Sequence, residues 1–157
     1  FVLTKLTAKD GRLLRVYAAR PGEQPEARGP AFLDDYAYVV HGLLNLHDAT
    51  GKPRWLDEAK RLTAAMTKWH GDDRGGFYLT AHDAEKLFAR GKDYYDGAQP
   101  SGNGTAARNL VRLWQKTKAE SDKAAAEKAL KGLAAVLANS PTAAPVSADA
   151  LDRLLTP

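Results

Sequence analysis

The chain has 157 residues, 23 Lys plus Arg against 19 Asp plus Glu, a formal charge of +4, and no cysteine. That length, with 44% hydrophobic residues, suits one domain with a substantial core. The missing cysteine excludes disulfides, thiolate catalysis, Fe–S clusters and cysteine-ligated zinc within this chain, and no apolar run is long enough to span a bilayer.

The basic residues between Arg108 and Lys131 alternate with alanine and glutamate on helical ground. That is a solvated helix face, not the dense basic stripe with interleaved aromatics that nucleic acid demands, so neither nucleic acid nor membrane is an expected partner. The chain starts at Phe1, with no Met and no secretory signal. That start suggests a processed chain or a piece of a longer one.

In chain order, Asp10-Gly11 between Leu6 and the run Leu13–Tyr17 predicts a tight turn into an extended segment. Pro21-Gly22, Pro25 and Gly29-Pro30 predict a loop over 20–30, with Pro30 as the first residue of a helix over 31–49. Thr50-Gly51-Lys52-Pro53 ends that helix and a second follows over 53–69, where Trp55, Ala59, Leu62, Met66 and Trp69 repeat at 4, 3, 4, 3 as one apolar stripe. The segment 71–104 is a long connection. Within it Gly75–Thr80 resembles a short strand, Asp83–Phe88 one helical turn, and Asp93–Gly97 an extended piece followed by a turn. Pro100–Gly104 offers several caps for a third helix over 105–117, a fourth covers 121–138, a loop covers 139–146, and Ser147 is placed to cap a last helix through Leu155.

A shift of 67 residues lays the first helical pair on the second. Leu43 falls on Leu110, Leu46 on Leu113, Thr50 on Thr117, Ala59 on Ala126, Met66 on Leu133 and Trp69 on Val136. This is a repeat of helix hairpins, about 31–69 and 105–138, joined by a long glycine-rich connection of the kind that carries function. The fold class is therefore all-α, with short β-hairpin-like connections.

The first helix has no Lys, Arg or Glu between Pro30 and Gly51. Asp34, Tyr38, His41 and Asn45 fall within roughly 60° of one another around it, a polar strip on a strongly apolar body. Such a helix is buried on most sides with one strip toward a polar cavity; the alternative is that Tyr38 and His41 are satisfied core or edge residues. Asp34 and Asp35 point about 100° apart, so they cannot both face one cavity, and capping accounts for at least one of them. No histidine pair has zinc-ligand spacing, there is no glycine-rich phosphate fingerprint and no nucleophile elbow; Ser101 reads as a turn and cap. No metal and no cofactor are expected.

Phe32-Leu33-Asp34-Asp35-Tyr36-Ala37, Gly42-Leu43-Leu44, Gly75-Gly76-Phe77 and above all Asp96-Gly97-Ala98-Gln99-Pro100-Ser101-Gly102-Asn103 occur in the order and spacing of one family. The chain resembles the carboxy-terminal part of the thioredoxin-domain-containing, spermatogenesis-associated-protein-like family over nearly its whole length. The resemblance implies a portion of an (α/α)6 toroid similar to six-hairpin glycosidases and N-acylglucosamine 2-epimerases, preceded in the parent by a thioredoxin-like domain. That domain and any Cys-x-x-Cys are absent from this chain.

By that similarity the funnel mouth would be lined by Asp34, Tyr38 and His41, with Arg90, Tyr95, Asp96 and Asn103 from the long connection. His41 would serve epimerase-like acid–base chemistry, and Asp34 with Asp96 glycosidase-like chemistry. A carbohydrate would be the ligand, and the remaining hairpins or a second copy would cover the cut apolar face. No independent catalysis is expected from this chain alone. The alternative is a non-catalytic helical-repeat scaffold that binds a protein partner.

Overall fold

A computed structural model of the chain describes residues 1–85 and 88–156. The described residues form seven α-helices and one two-stranded sheet: α1 Val2–Lys5, β1 Leu14–Ala18, β2 Glu26–Pro30, α2 Leu33–Thr50, α3 Pro53–His70, α4 Gly102–Thr117, α5 Glu120–Gly132, α6 Ala134–Asn139 and α7 Pro145–Leu155. None of these helices is long and apolar enough to cross a membrane.

Helices α2 and α3 form one hairpin and α4 and α5 the next, and α2 packs on α4. α4 is the central rod. Its faces meet α2, α5 and α7, so its first six residues, from Gly102 to Ala107, are all buried. The core runs from Leu33, Tyr36, Val40 and Leu44 of α2, through Ala59, Leu62 and Met66 of α3, to Ala106, Leu110, Val111 and Leu113 of α4.

The 67-residue repeat reaches the backbone. α2 ends with Gly51 in the left-handed region (φ 65°), its N–H donating to His47 O; α4 ends with Lys118, the equivalent position, also left-handed (φ 56°), its N–H donating to Trp114 O. Equivalent core positions are buried together: Leu43 with Leu110, and Ala59 with Ala126. Leu46 and Leu113 break the parallel. Leu113 is 2% exposed, on the helix that α7 covers, whereas Leu46 is 43% exposed.

Several boundaries differ from the sequence reading. The expected loop over 20–30 contains β2, which pairs antiparallel with β1 in the register Val16 with Arg28 and Ala18 with Glu26. Pro25 precedes that strand, and its Gly29 and Pro30 read as breakers, but a ribbon needs only one partner strand and tolerates both at its edge. Pro30 ends that strand instead of starting a helix, and α2 begins at Leu33 behind Phe32, whose N–H donates to Asp35 Oδ2 at 2.8 Å. Gly75–Thr80 is not a strand; it makes one isolated bridge, Gly71 with Phe77. The helical turn expected over 83–88 falls partly on residues 86 and 87, outside the described residues.

The fourth helix is two, with a break at Leu133, and the 3-10 turn Pro141–Ala143 leads into α7. α7 starts at Pro145, so Ser147 lies inside it, fully buried, with no capping bond. The break at Leu133 follows directly on Gly132. A Cβ on Gly132 would lie 2.4 Å from Gly75 C and Gly76 N, so the long connection rests directly on the end of α5, backbone against backbone.

Lys118 provides a test of the repeat. Its left-handed backbone strains a residue with a Cβ, whereas the equivalent Gly51 is free of that strain. Lys118→Gly is expected to raise stability by about 0.5–1 kcal/mol in urea unfolding. A loss of stability would contradict the shared hairpin geometry.

Candidate functional site

The polar strip of α2 lies against α4. At its start Asp34 and Asp35 divide their roles: Asp35 accepts from the Phe32 N–H, while Asp34 Oδ1 is buried without a hydrogen-bond partner among the described residues. Asp34 sits so close to Gly102, the first residue of α4, that a Cβ there would overlap its Oδ1. Burial, then the neighbouring charges of Asp93 and Asp35, push the Asp34 carboxyl above its ordinary value. One turn on, the Tyr38 hydroxyl donates to Pro100 O at 2.5 Å, and burial with the charges of Asp34, Asp93 and Asp96 raises its pKa too.

A further turn on, His41 Nδ1 lies 3.1 Å from Arg112 Nη1. A guanidinium only donates, so Nδ1 accepts and the ring proton sits on Nε2. Burial, followed by the charges of Arg108 and Arg112, lowers the His41 pKa and keeps the ring neutral. Arg112 reaches on to Asp48 at 2.7 Å, where Lys116 also binds.

The long connection uses its candidate residues differently. Asp96 Oδ1 accepts from Ser101 N at 2.7 Å and Oδ2 from Val146 N at 2.8 Å, so one carboxylate ties the start of α4 to the start of α7. Asn103, 1% exposed, accepts from Phe77 N at 2.7 Å and donates to Phe77 O and Asp93 O, both at 2.9 Å. Ser101 caps α4 through Gly104 N. Arg90 donates to Thr80 O at 2.5 Å and lies over the Tyr78 ring. Asp83 instead takes Arg12, and Lys92 takes Asp72 at 2.7 Å. Tyr95 is 60% exposed.

The structure thus gathers Asp34 and Tyr38 near Asp93 and Asp96 at the α4 start, and places His41 further along the strip beside Arg108 and Arg112. The two arginines were not among the residues singled out from the sequence. The repeat itself carries their signal: shifted by 67, Asp34, Tyr38, His41 and Asn45 become Ser101, Thr105, Arg108 and Arg112, so the polar strip recurs on α4. Three side-chain atoms of this doubled strip, Asp34 Oδ1, Thr105 Oγ1 and Arg108 Nε, are buried without partners among the described residues.

Two helix hairpins in tandem, with a polar strip repeated on the first helix of each, define a helical-hairpin repeat protein. No family model matches the chain. Among curated proteins, 109 residues are 43% identical to spermatogenesis-associated protein 20 of Homo sapiens and 44% identical to that of Mus musculus, matching 66% of this chain and 14% of each relative. Uncharacterized protein B0495.5 of Caenorhabditis elegans is 30% identical over 154 residues, 95% of this chain and 21% of that protein. These relatives support the resemblance to the spermatogenesis-associated proteins. The chain matches only 14% to 21% of the length of the curated relatives.

The hydrogen bonds of the connection predict large stability effects. Asn103→Ala strands three backbone groups and is expected to cost about 3–5 kcal/mol; Asp96→Ala strands two amides and should cost about 2–4 kcal/mol. Losses below about 1 kcal/mol in urea unfolding would contradict these roles.

Histidine burial predicts a pH effect. His70, 1% exposed with Nδ1 3.1 Å from Tyr78 O, is lowered from 6.5 chiefly by burial, as is His41. The unfolded chain therefore binds more protons between the depressed values and 6.5, so stability is full above that window and falls as pH drops through it. Asp34 works oppositely at lower pH: its raised pKa makes stability increase as pH falls toward 3.8. Urea midpoints should drop between about pH 7 and pH 5, with a shallower slope in His70→Gln. A flat profile would contradict the buried neutral imidazoles.

Proposed function

We propose that the doubled polar strip of α2 and α4 is one wall of a carbohydrate-binding cleft in an (α/α) toroid that further hairpins complete. The observation that carries this reading is the set of unpartnered buried atoms along the strip: Asp34 Oδ1, Thr105 Oγ1 and Arg108 Nε. Buried polar atoms are ordinarily satisfied, and a polyol offers both donors and acceptors at the spacing of successive hydroxyls. Asp34 is the acid of the site. Burial moves its carboxyl above the ordinary value, the direction that a group protonating a sugar oxygen requires.

His41 orients Arg112 and holds a neutral ring, and Asp96 supports the wall from behind through its two backbone bonds. An apolar groove of about 690 Å3, lined by Leu3, Val39, Leu43, Leu46 and Trp55 among others, supports the toroid reading, since a neighbouring hairpin would cover it.

A second reading, a non-catalytic scaffold, is favoured by the local bonds of Tyr38, Asp96 and Asn103. The two separate in a saturation-transfer NMR screen of neutral mono- and disaccharides on the longest expressed form of the protein. The carbohydrate reading expects at least one hit, weakened about tenfold by Asp34→Asn and by Arg108→Gln. An empty screen, or hits indifferent to both changes, would leave the scaffold.

A further inference from the structure

Next to the Asn103 hydrogen bonds, the 72–78 turn, residues 90–94 and the end of α5 line an open cavity of about 510 Å3. Arg74, Arg90, Lys92 and Lys131 line it, with Asp72 as its one carboxylate among the described residues and Tyr78 among its walls. Asp72 is held well below the usual carboxylate range, first by its hydrogen bond from Lys92 and then by the Arg74 N–H, so it stays ionised and neutralises one cation. Arg74 is a second, looser neighbour of Asp72 at 3.7 Å, with its side chain 87% exposed. Arg90 and Lys131 have no carboxylate within ion-pair distance among the described residues. Arg90 Nε is also buried without an acceptor among them.

Tyr78 organises the cluster: the Arg90 guanidinium lies 4.0 Å from its ring centroid and the Lys92 ammonium 4.8 Å. The rigid backing is the close contact of Gly75 and Gly76 with Gly132, which fixes the turn against α5. Lys92 also donates to Gly75 O at 2.8 Å.

Four cations and one carboxylate leave a net charge of about +3 facing a cavity much larger than one ordered water. Arginine and lysine together supply the forked and the point-like donors that a tetrahedral oxyanion takes. We propose that this cavity binds a small dianion of the phosphomonoester class, with its phosphoryl group among Arg74, Lys92 and Lys131 and its organic part toward the Tyr78 wall. The site goes beyond the carbohydrate reading of the α2–α4 strip and does not rest on it, since a neutral sugar at Asp34 and an anion here engage different residues.

The test is a heteronuclear NMR titration of the 157-residue chain with inorganic phosphate, glucose 6-phosphate and glucose, repeated in Arg74→Glu/Lys131→Glu. Both replaced side chains are exposed, so the variant keeps its core; matching urea midpoints verify this. Saturable shifts at Tyr78, Lys92 and Lys131 with glucose 6-phosphate are expected, weakened about tenfold in the double variant and by added salt. No saturable shift, equal shifts with glucose, shifts centred elsewhere, or a loss under about threefold in the variant would overturn the site.

Discussion

The fold turns on one buried amide. Asn103 stands at the start of α4, and its side chain holds Phe77 by both backbone groups and Asp93 by its carbonyl. A long connection has no periodic hydrogen bonding of its own, so its polar backbone must find partners elsewhere or stay in water. Asn103 supplies three of them at one point. Asp96 extends the arrangement by taking the amides of Ser101 and Val146, and Ser101 caps the same helix. The string from Asp96 to Asn103 is therefore a clasp that joins the connection, α4 and α7.

From that clasp the position of the candidate site follows. With the start of α4 fixed, Gly102 presents bare backbone to Asp34, and no larger residue would let the carboxylate come so close. Tyr38 then reaches the Pro100 carbonyl, and the α2 strip is brought alongside its counterpart on α4. Beside the clasp, Gly75 and Gly76 lie on Gly132, which shapes the basic cavity. The two surfaces are unlike in charge: Asp34, Asp93 and Asp96 gather at the α4 start, with Arg108 and Arg112 further along the strip, whereas Arg74, Arg90, Lys92 and Lys131 surround Asp72 in the cavity. That contrast separates what each could bind.

Much of the helical architecture is legible from spacing alone. The stripe through Trp55, Ala59, Leu62 and Met66, and the 67-residue shift, identify two hairpins whose turns prove to share a left-handed cap at Gly51 and Lys118. The helical angle puts Asp34 on the polar strip and Asp35 about 100° away, while capping accounts for at least one of the pair without saying which. The rest was hidden for definable reasons. β2 is written in breaker residues and exists through its pairing with β1. The break at Leu133 follows Gly132, a weak local signal inside an alanine-rich stretch, and that glycine packs on glycines more than fifty residues away. The roles of Asp96 and Asn103 depend on bonds to residues 50 and 26 positions distant, which no local pattern encodes. Arg108 and Arg112 were readable by carrying the polar strip through the repeat, as the apolar strip was.

The clasp is tested most directly by native-state hydrogen exchange at the amides of Phe77, Ser101 and Val146, which donate to Asn103 Oδ1, Asp96 Oδ1 and Asp96 Oδ2. If these side chains join the three segments into one cooperative unit, all three amides exchange only through the global opening that also exposes the core of α4, with a common free energy. Fast, unequal exchange at these amides while the α4 core stays protected would show that the connection moves independently, and the account of the site built on it would fail.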